Sequence, residues 1–142
     1  MSDILNRVFS TRFDTINTAE CEFEPGQVWR IAQGEFAGTT LLIVKVDILS
    51  PIGLGVHVSV RGPLMVDGEP FLDGIPHLPF SPDAMRVSDL EFTGFLSNMP
   101  DDWEEMYFDW EDDALAGEAG YFSLPVSEIL LTILGKLSQI LK

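Results

Sequence analysis

A single cysteine, Cys21, is all the thiol chemistry these 142 residues offer. That excludes an intramolecular disulfide and a cysteine-rich metal centre, and it suits a reducing, cytoplasmic setting. Bases are scarce as well. Eight Lys and Arg stand against 23 Asp and Glu, a formal net charge of −15, with a sequence pI of about 4.1. A surface of that sign repels phosphate backbones and anionic lipid heads, so nucleic acid and membranes are not expected partners, whereas a basic protein is. Long hydrophobic runs are missing too. The longest helix-like apolar stretch, 126–141, is broken by Glu128 and Lys136 and falls short of the roughly 20 apolar residues a bilayer demands. Residues 1–12 carry Asp3, Arg7 and Arg12 and no apolar h-region, so no signal peptide is expected. Gly-x-Ser-x-Gly, His-Glu-x-x-His, a Gly-rich phosphate loop and Cys-x-x-Cys are all absent, and no cofactor is expected.

What is present is an ordinary globular composition, 46% hydrophobic and 22% charged, at the length of one domain. Ile4, Leu5, Val8 and Phe9 share one helical face, which predicts an N-terminal helical segment over 1–12. Alternation from Glu20 to Glu24, then Gln27–Ala32, Thr39–Leu49 and Val56–Arg61, predicts an antiparallel sheet over 20–66. The unbroken apolar stretch Leu41–Val44 reads as a strand buried on both faces. Residues 64–79, rich in Pro and Gly, read as a loop with at most a short strand at 64–66. Ser81-Pro82-Asp83 is a helix start: a capping hydroxyl, a ring that presets φ, and an acid at the positive dipole end. It predicts a helix over 81–92 with Ala84, Val87 and Leu90 inward. Further helices are expected over 101–116, capped by Asp101, and over 125–141. The chain is thus expected to be one α+β domain, a small, strongly bent, partly barrel-like antiparallel sheet followed by packed C-terminal helices.

The charge is not spread evenly. Residues 101–118 hold nine acids and no base. In helical projection Asp101, Glu105, Asp109 and Asp112 form a ridge, and Trp103, Met106, Tyr107, Trp110 and Ala114 form a stripe on the other side. Acids at i, i+4 repel by a few tenths of a kcal/mol per pair, and the 101/105 and 105/109 pairs stand without a compensating base. Either the ridge is simply a solvated helix face or it meets a basic partner through Asp101, Asp102, Glu105, Asp109, Asp112 and Asp113. A calcium loop from Asp109 fails, because its sixth position is Ala114 and its twelfth Gly120, so no metal site is expected. His57 alternates with valines on a strand, and His77 sits between Pro76 and Pro79. With Arg61 these histidines are the candidate ligand site, set against a purely structural role for each. Cys21 lies between glutamates that disfavour the thiolate, which makes it a poor nucleophile. Val126, Leu130, Ile133, Leu137 and Ile140 repeat at 4-3-4-3 spacing, a seam that docks on the sheet or joins two copies in a homodimer.

Several segments in order, Gly26-Gln27-Val28-Trp29, His57-Val58-Ser59-Val60, Pro76–Ser81 and Ala119–Glu128, together resemble a family of short bacterial proteins with no established activity. The resemblance implies bacterial origin and a stand-alone small fold, and carries no catalytic residue. Three functions follow as expectations. The first is a non-enzymatic cytoplasmic protein that binds a basic protein, most concretely an immunity- or antitoxin-like inhibitor of a toxin. The second is a small enzyme or ligand-binding domain using His57, Arg61 and His77, and the third is a homodimeric adaptor.

Overall fold

A computed structural model describes residues 21–49 and 52–140. In chain order the elements are β1 (Gln27–Ile31), β2 (Thr40–Leu49), β3 (Gly53–Val66), β4 (Glu69–Phe80), α1 (Pro82–Arg86), β5 (Leu90–Phe95), α2 (Glu104–Leu115) and α3 (Val126–Ile140). The five strands form one antiparallel sheet in the order β4-β3-β2-β1-β5. The fold is therefore α+β, with the sheet open and β4 and β5 as its edges. The helical segment expected over 1–12 lies outside the described residues.

Sequence alternation decides the two faces of the sheet. Leu41 and Ile43 of β2, Val56, Val58 and Val60 of β3, and Leu78 and Phe80 of β4 point into one core. Val126, Ile129, Leu130 and Leu134 of α3 close it, with Ala84 and Met85 of α1 and with Phe23 and Phe36. Burying a side chain of this size is worth about 1.5–3 kcal/mol, so this layer is the main source of stability. The opposite face buries Leu42, His57, Ser59 and His77 beneath Tyr107 and Trp110 of α2. Leu41 to Val44 are buried on both sides, as their unbroken apolar stretch predicts.

Several expectations need correction. Residues 21–24 form no strand, although Cys21 and Phe23 are buried and Glu22 and Glu24 exposed; pairing begins only after the turn at Pro25-Gly26. The expected loop over 64–79 is mostly strand. Asp67 and Gly68 both take positive φ, 54° and 80°, the two-residue turn that suits a hairpin. Pro70, Pro76 and Pro79 are tolerated because β4 is an edge strand, where a missing N–H breaks no second ladder. The helix expected over 81–92 is one short element. Ser81 caps it, its Oγ accepting from the Ala84 N–H at 3.1 Å, but the chain turns at Val87 and pairs as β5 from Leu90. Val87 is consequently exposed and Met85 takes the buried place. Helix α2 begins at Glu104, not Asp101, with Trp103 at its N-cap and no side-chain cap. The Glu104 N–H is met by the Asp101 carbonyl at 3.2 Å. The seam of α3 divides: Val126 and Leu130 are spent in the molecule's own core with Ile133 packed against it, while Leu137 is half-buried and Ile140 exposed, as is Leu131 beside the seam.

Candidate functional site

Two irregularities in the sheet assemble the polar cluster under α2. Side chains on a strand alternate, so Lys45 and Asp47 would share the core face of Leu41 and Ile43. A bulge in β2 between Ile43 and Lys45 resets that alternation and pairs Lys45 with His57. Val46 then packs on the core, and Asp47 turns to the histidine face. A second irregularity, between the Val58↔Leu78 and Val60↔Ile75 pairs, lets Ile75 and Leu78 both point into the core and leaves His77 on the face of His57.

The result is a continuous hydrogen-bonded chain. The Asp47 Oδ1 lies 2.7 Å from His57 Nε2, and His57 Nδ1 lies 2.8 Å from His77 Nε2. The imidazoles are nearly parallel, 17° apart with centroids at 5.0 Å. Tyr107 donates its hydroxyl proton to Asp47 Oδ2, and Glu111 Oε2 lies 3.1 Å from the same hydroxyl. One phenolic proton thus serves two carboxylates on different elements and ties α2 to β2. Lys45 places its ammonium over the Tyr107 ring, 5.1 Å from the centroid. Tyr107 and Trp110 meet His57 edge-on at 4.8 and 4.9 Å. Tyr121 stacks on Trp110 and donates to the Gly53 carbonyl at 2.9 Å. A methyl group at Gly55 would stand 2.1 Å from the Tyr121 ring, so only glycine leaves room for this aromatic lid.

Electrostatics follow from this burial. His57 is fully buried and His77 is 3% exposed. Burial, and then the neighbouring His57, hold the His77 pKa down to about 4, with Asp47 opposing. For Asp47, burial alone would raise the pKa; the hydrogen bonds from His57 and Tyr107 and the nearby positive groups outweigh it, and the carboxyl sits below its ordinary value. Burial and the adjoining carboxylates push the Tyr107 hydroxyl well up, so it stays protonated as a donor. Asp47 is thus an acceptor, which requires the proton on His57 Nε2. The contact between the two rings carries one proton, on His57 Nδ1 or on His77 Nε2.

Of the candidate ligand residues, His57 and His77 are brought together and Arg61 is not. Arg61 Nη1 donates to Ser59 Oγ at 3.0 Å and to the two Asp102 oxygens at 3.1 and 2.9 Å, fastening the start of α2 to β3. Asp47 and Glu111 join the site without having been singled out in the sequence, and Tyr107 enters it from the aromatic stripe. Among the candidate partner-binding acids, Asp101, Asp102, Glu105, Asp109, Asp112 and Asp113 are all exposed. Among the described residues the Arg61–Asp102 pair is the only ion pair that reaches 101–118. The expected stripe is inward at Tyr107, Trp110 and Ala114 but not at Met106, which is 42% exposed. Phe108 and Leu115, which had no role in either pattern, stand 54% and 62% exposed on the acidic side. Among the described residues no cluster of three or more His, Cys, Asp or Glu could hold a metal ion, and no helix is long and apolar enough to cross a membrane.

No protein-family model, curated protein or solved structure matches this chain.

Proposed function

We propose that the protein is a non-enzymatic module that binds a basic protein through the outer face of α2, most concretely an immunity- or antitoxin-like inhibitor of a bacterial toxin. The observation that carries this reading is the company the acids keep. Phe108 and Leu115, two helical turns apart, lie exposed among Glu104, Glu105 and Asp112. A helix face that serves only solubility has no use for a phenyl ring half in water; apolar anchors inside a charged rim are the usual anatomy of a binding surface. The unpaired acids would speed encounter with a basic target and make it sensitive to salt. Beneath them, the Tyr107–Asp47 and Arg61–Asp102 contacts hold the helix in a fixed orientation on the sheet.

The test is to cross-link the protein in its native cells, identify the stoichiometric partner and measure association of the purified pair. A partner of pI above 9 is expected, with an association rate that falls at least tenfold between 50 and 300 mM salt. The Glu105→Gln/Asp112→Asn and Phe108→Ala variants should each weaken the complex at least tenfold. Recovery of no stoichiometric partner, or of one indifferent to salt and to these variants, overturns the reading.

A second reading, a ligand-binding or catalytic use of the histidines, is favoured by one observation: the 2.8 Å contact that joins His57 and His77 into a chain ending at Asp47. Such a chain can move a proton between a ligand at His77 and the half-buried Asp47 carboxylate. Exposures of zero for His57 and 3% for His77 favour holding a ligand at the outer ring over turnover.

A further inference from the structure

A groove of about 520 Å³ opens where β4, α2 and the segment before α3 meet, and His77 forms part of its wall. Its apolar surface comes from Met106, Trp110 and Phe122, and two carboxylates, Asp109 and Asp113, stand one turn apart on its rim. Neither carboxylate has an ion-pair partner among the described residues. His77 is a nearly buried polar side chain with half of its hydrogen-bonding capacity unused. Its Nε2 is taken by His57, and its Nδ1, on the far side of the ring, has no hydrogen-bond partner among the described residues. A buried polar atom left in that state is costly, and a polar group from outside the chain can satisfy it.

We propose that this groove receives an arginine side chain of the basic partner, with its guanidinium between Asp109, Asp113 and the outer nitrogen of His77. The inference rests on the protein-binding reading above and gives it a specific anchor. The charged side chains of the groove are two carboxylates, which only accept, and beside them the outer nitrogen of His77 has no partner among the described residues. The complement must be rich in N–H donors, cationic, and carried on an apolar stem that can lie against Met106 and Phe122. A guanidinium meets this better than an ammonium, because its planar fork of five donors can serve a carboxylate and an imidazole nitrogen together and is more weakly hydrated. Phe108 and Leu115 lie outside the groove on the outer face of the same helix. One partner surface can therefore cover the apolar anchors while a single side chain reaches past α2 into the groove.

The probe is N-acetyl-arginine amide, titrated while the Trp110 indole N–H is followed by NMR. N-acetyl-citrulline amide, of the same shape but uncharged, is the control. The arginine compound should move the Trp110 signal saturably and bind at least fivefold more tightly than the citrulline compound. Asp109→Asn/Asp113→Asn, surface changes that spare the core, should weaken it at least fivefold, as should His77→Phe wherever the strand amide shifts show an intact sheet. Non-saturable shifts, or equal binding of citrulline, overturn the cationic site. Saturable binding of the arginine compound, with capture of the partner unchanged by Asp109→Asn/Asp113→Asn, overturns the partner's arginine as its occupant. These outcomes are distinct from failure of the protein-binding reading, which turns on Glu105, Phe108 and Asp112 outside the groove.

Discussion

Asp47 owes its place beside the histidines to one extra residue in β2, and much of the site's chemistry follows from that. The native state keeps His77 neutral, with a pKa of about 4, whereas the same imidazole in an unfolded chain titrates near 6.5. Between those values the unfolded chain holds a proton that the folded one does not, so stability must fall as pH is lowered through the window. Asp47 acts in the same direction further down: its contribution is present above its unfolded pKa and is lost as pH falls through the lower native value. The charged and titratable groups facing the pair are Lys45 and Asp47 from β2, Tyr107 and Glu111 from α2, and Tyr121. Relief of repulsion among the surface acids works the other way on acidification, so a variant must isolate the histidine. Urea unfolding should show the native protein losing about 2 kcal/mol more between pH 7 and pH 5 than His77→Gln does. Equal slopes for the two proteins would contradict a buried neutral His77.

At the scale of elements, α2 is fastened by side chains instead of by a cap. Tyr107 bridges to Asp47 and Glu111, Trp110 donates to the Gly120 carbonyl at 2.9 Å, and Arg61 holds Asp102. Tyr107→Phe keeps the ring's packing and removes only the shared proton, which should cost about 1–2 kcal/mol. Because the loss falls at the contact between helix and sheet, amide hydrogen exchange should quicken across 104–115 while β2 and β3 remain protected. Uniform quickening throughout the sheet would mean that the hydroxyl supports the whole fold and not the helix alone. The inward face of this helix was legible in the sequence, because Tyr107, Trp110 and Ala114 recur at helical spacing. Strand β4 was not: Pro70, Pro76 and Pro79 argue against a strand unless it is known to be an edge. His57 and His77 were grouped in one expected site, but their direct hydrogen bond depends on register across β3 and β4 and was not legible. A clue to Asp47 was nevertheless present. Charges at 45 and 47 sit on the alternation of Leu41 and Ile43, and a buried strand accepts that only if a bulge resets its parity.

For the whole molecule, the distribution of the −15 charge matters more than its size. The ridge acids Glu105, Asp109 and Asp112 stand on one exposed face, apart from the apolar core that α3 closes, so folding of the free protein works against their mutual repulsion. Raising salt from 20 to 300 mM shortens the screening length to below about 10 Å and should relieve that repulsion, raising the melting temperature by roughly 2–4 °C. Glu105→Gln/Asp109→Asn/Asp112→Asn should melt higher than the native protein at low salt and gain less from added salt, a comparison that calorimetry reads directly. A melting temperature that fell with salt would mean that the acids are compensated within the chain. Binding to a basic partner must respond to salt in the opposite sense, since there the same ions screen an attraction. Salt that strengthens the free protein and weakens its complex would locate the benefit of the uncompensated ridge in the partner, because it is the partner's charge that removes a repulsion the chain carries alone.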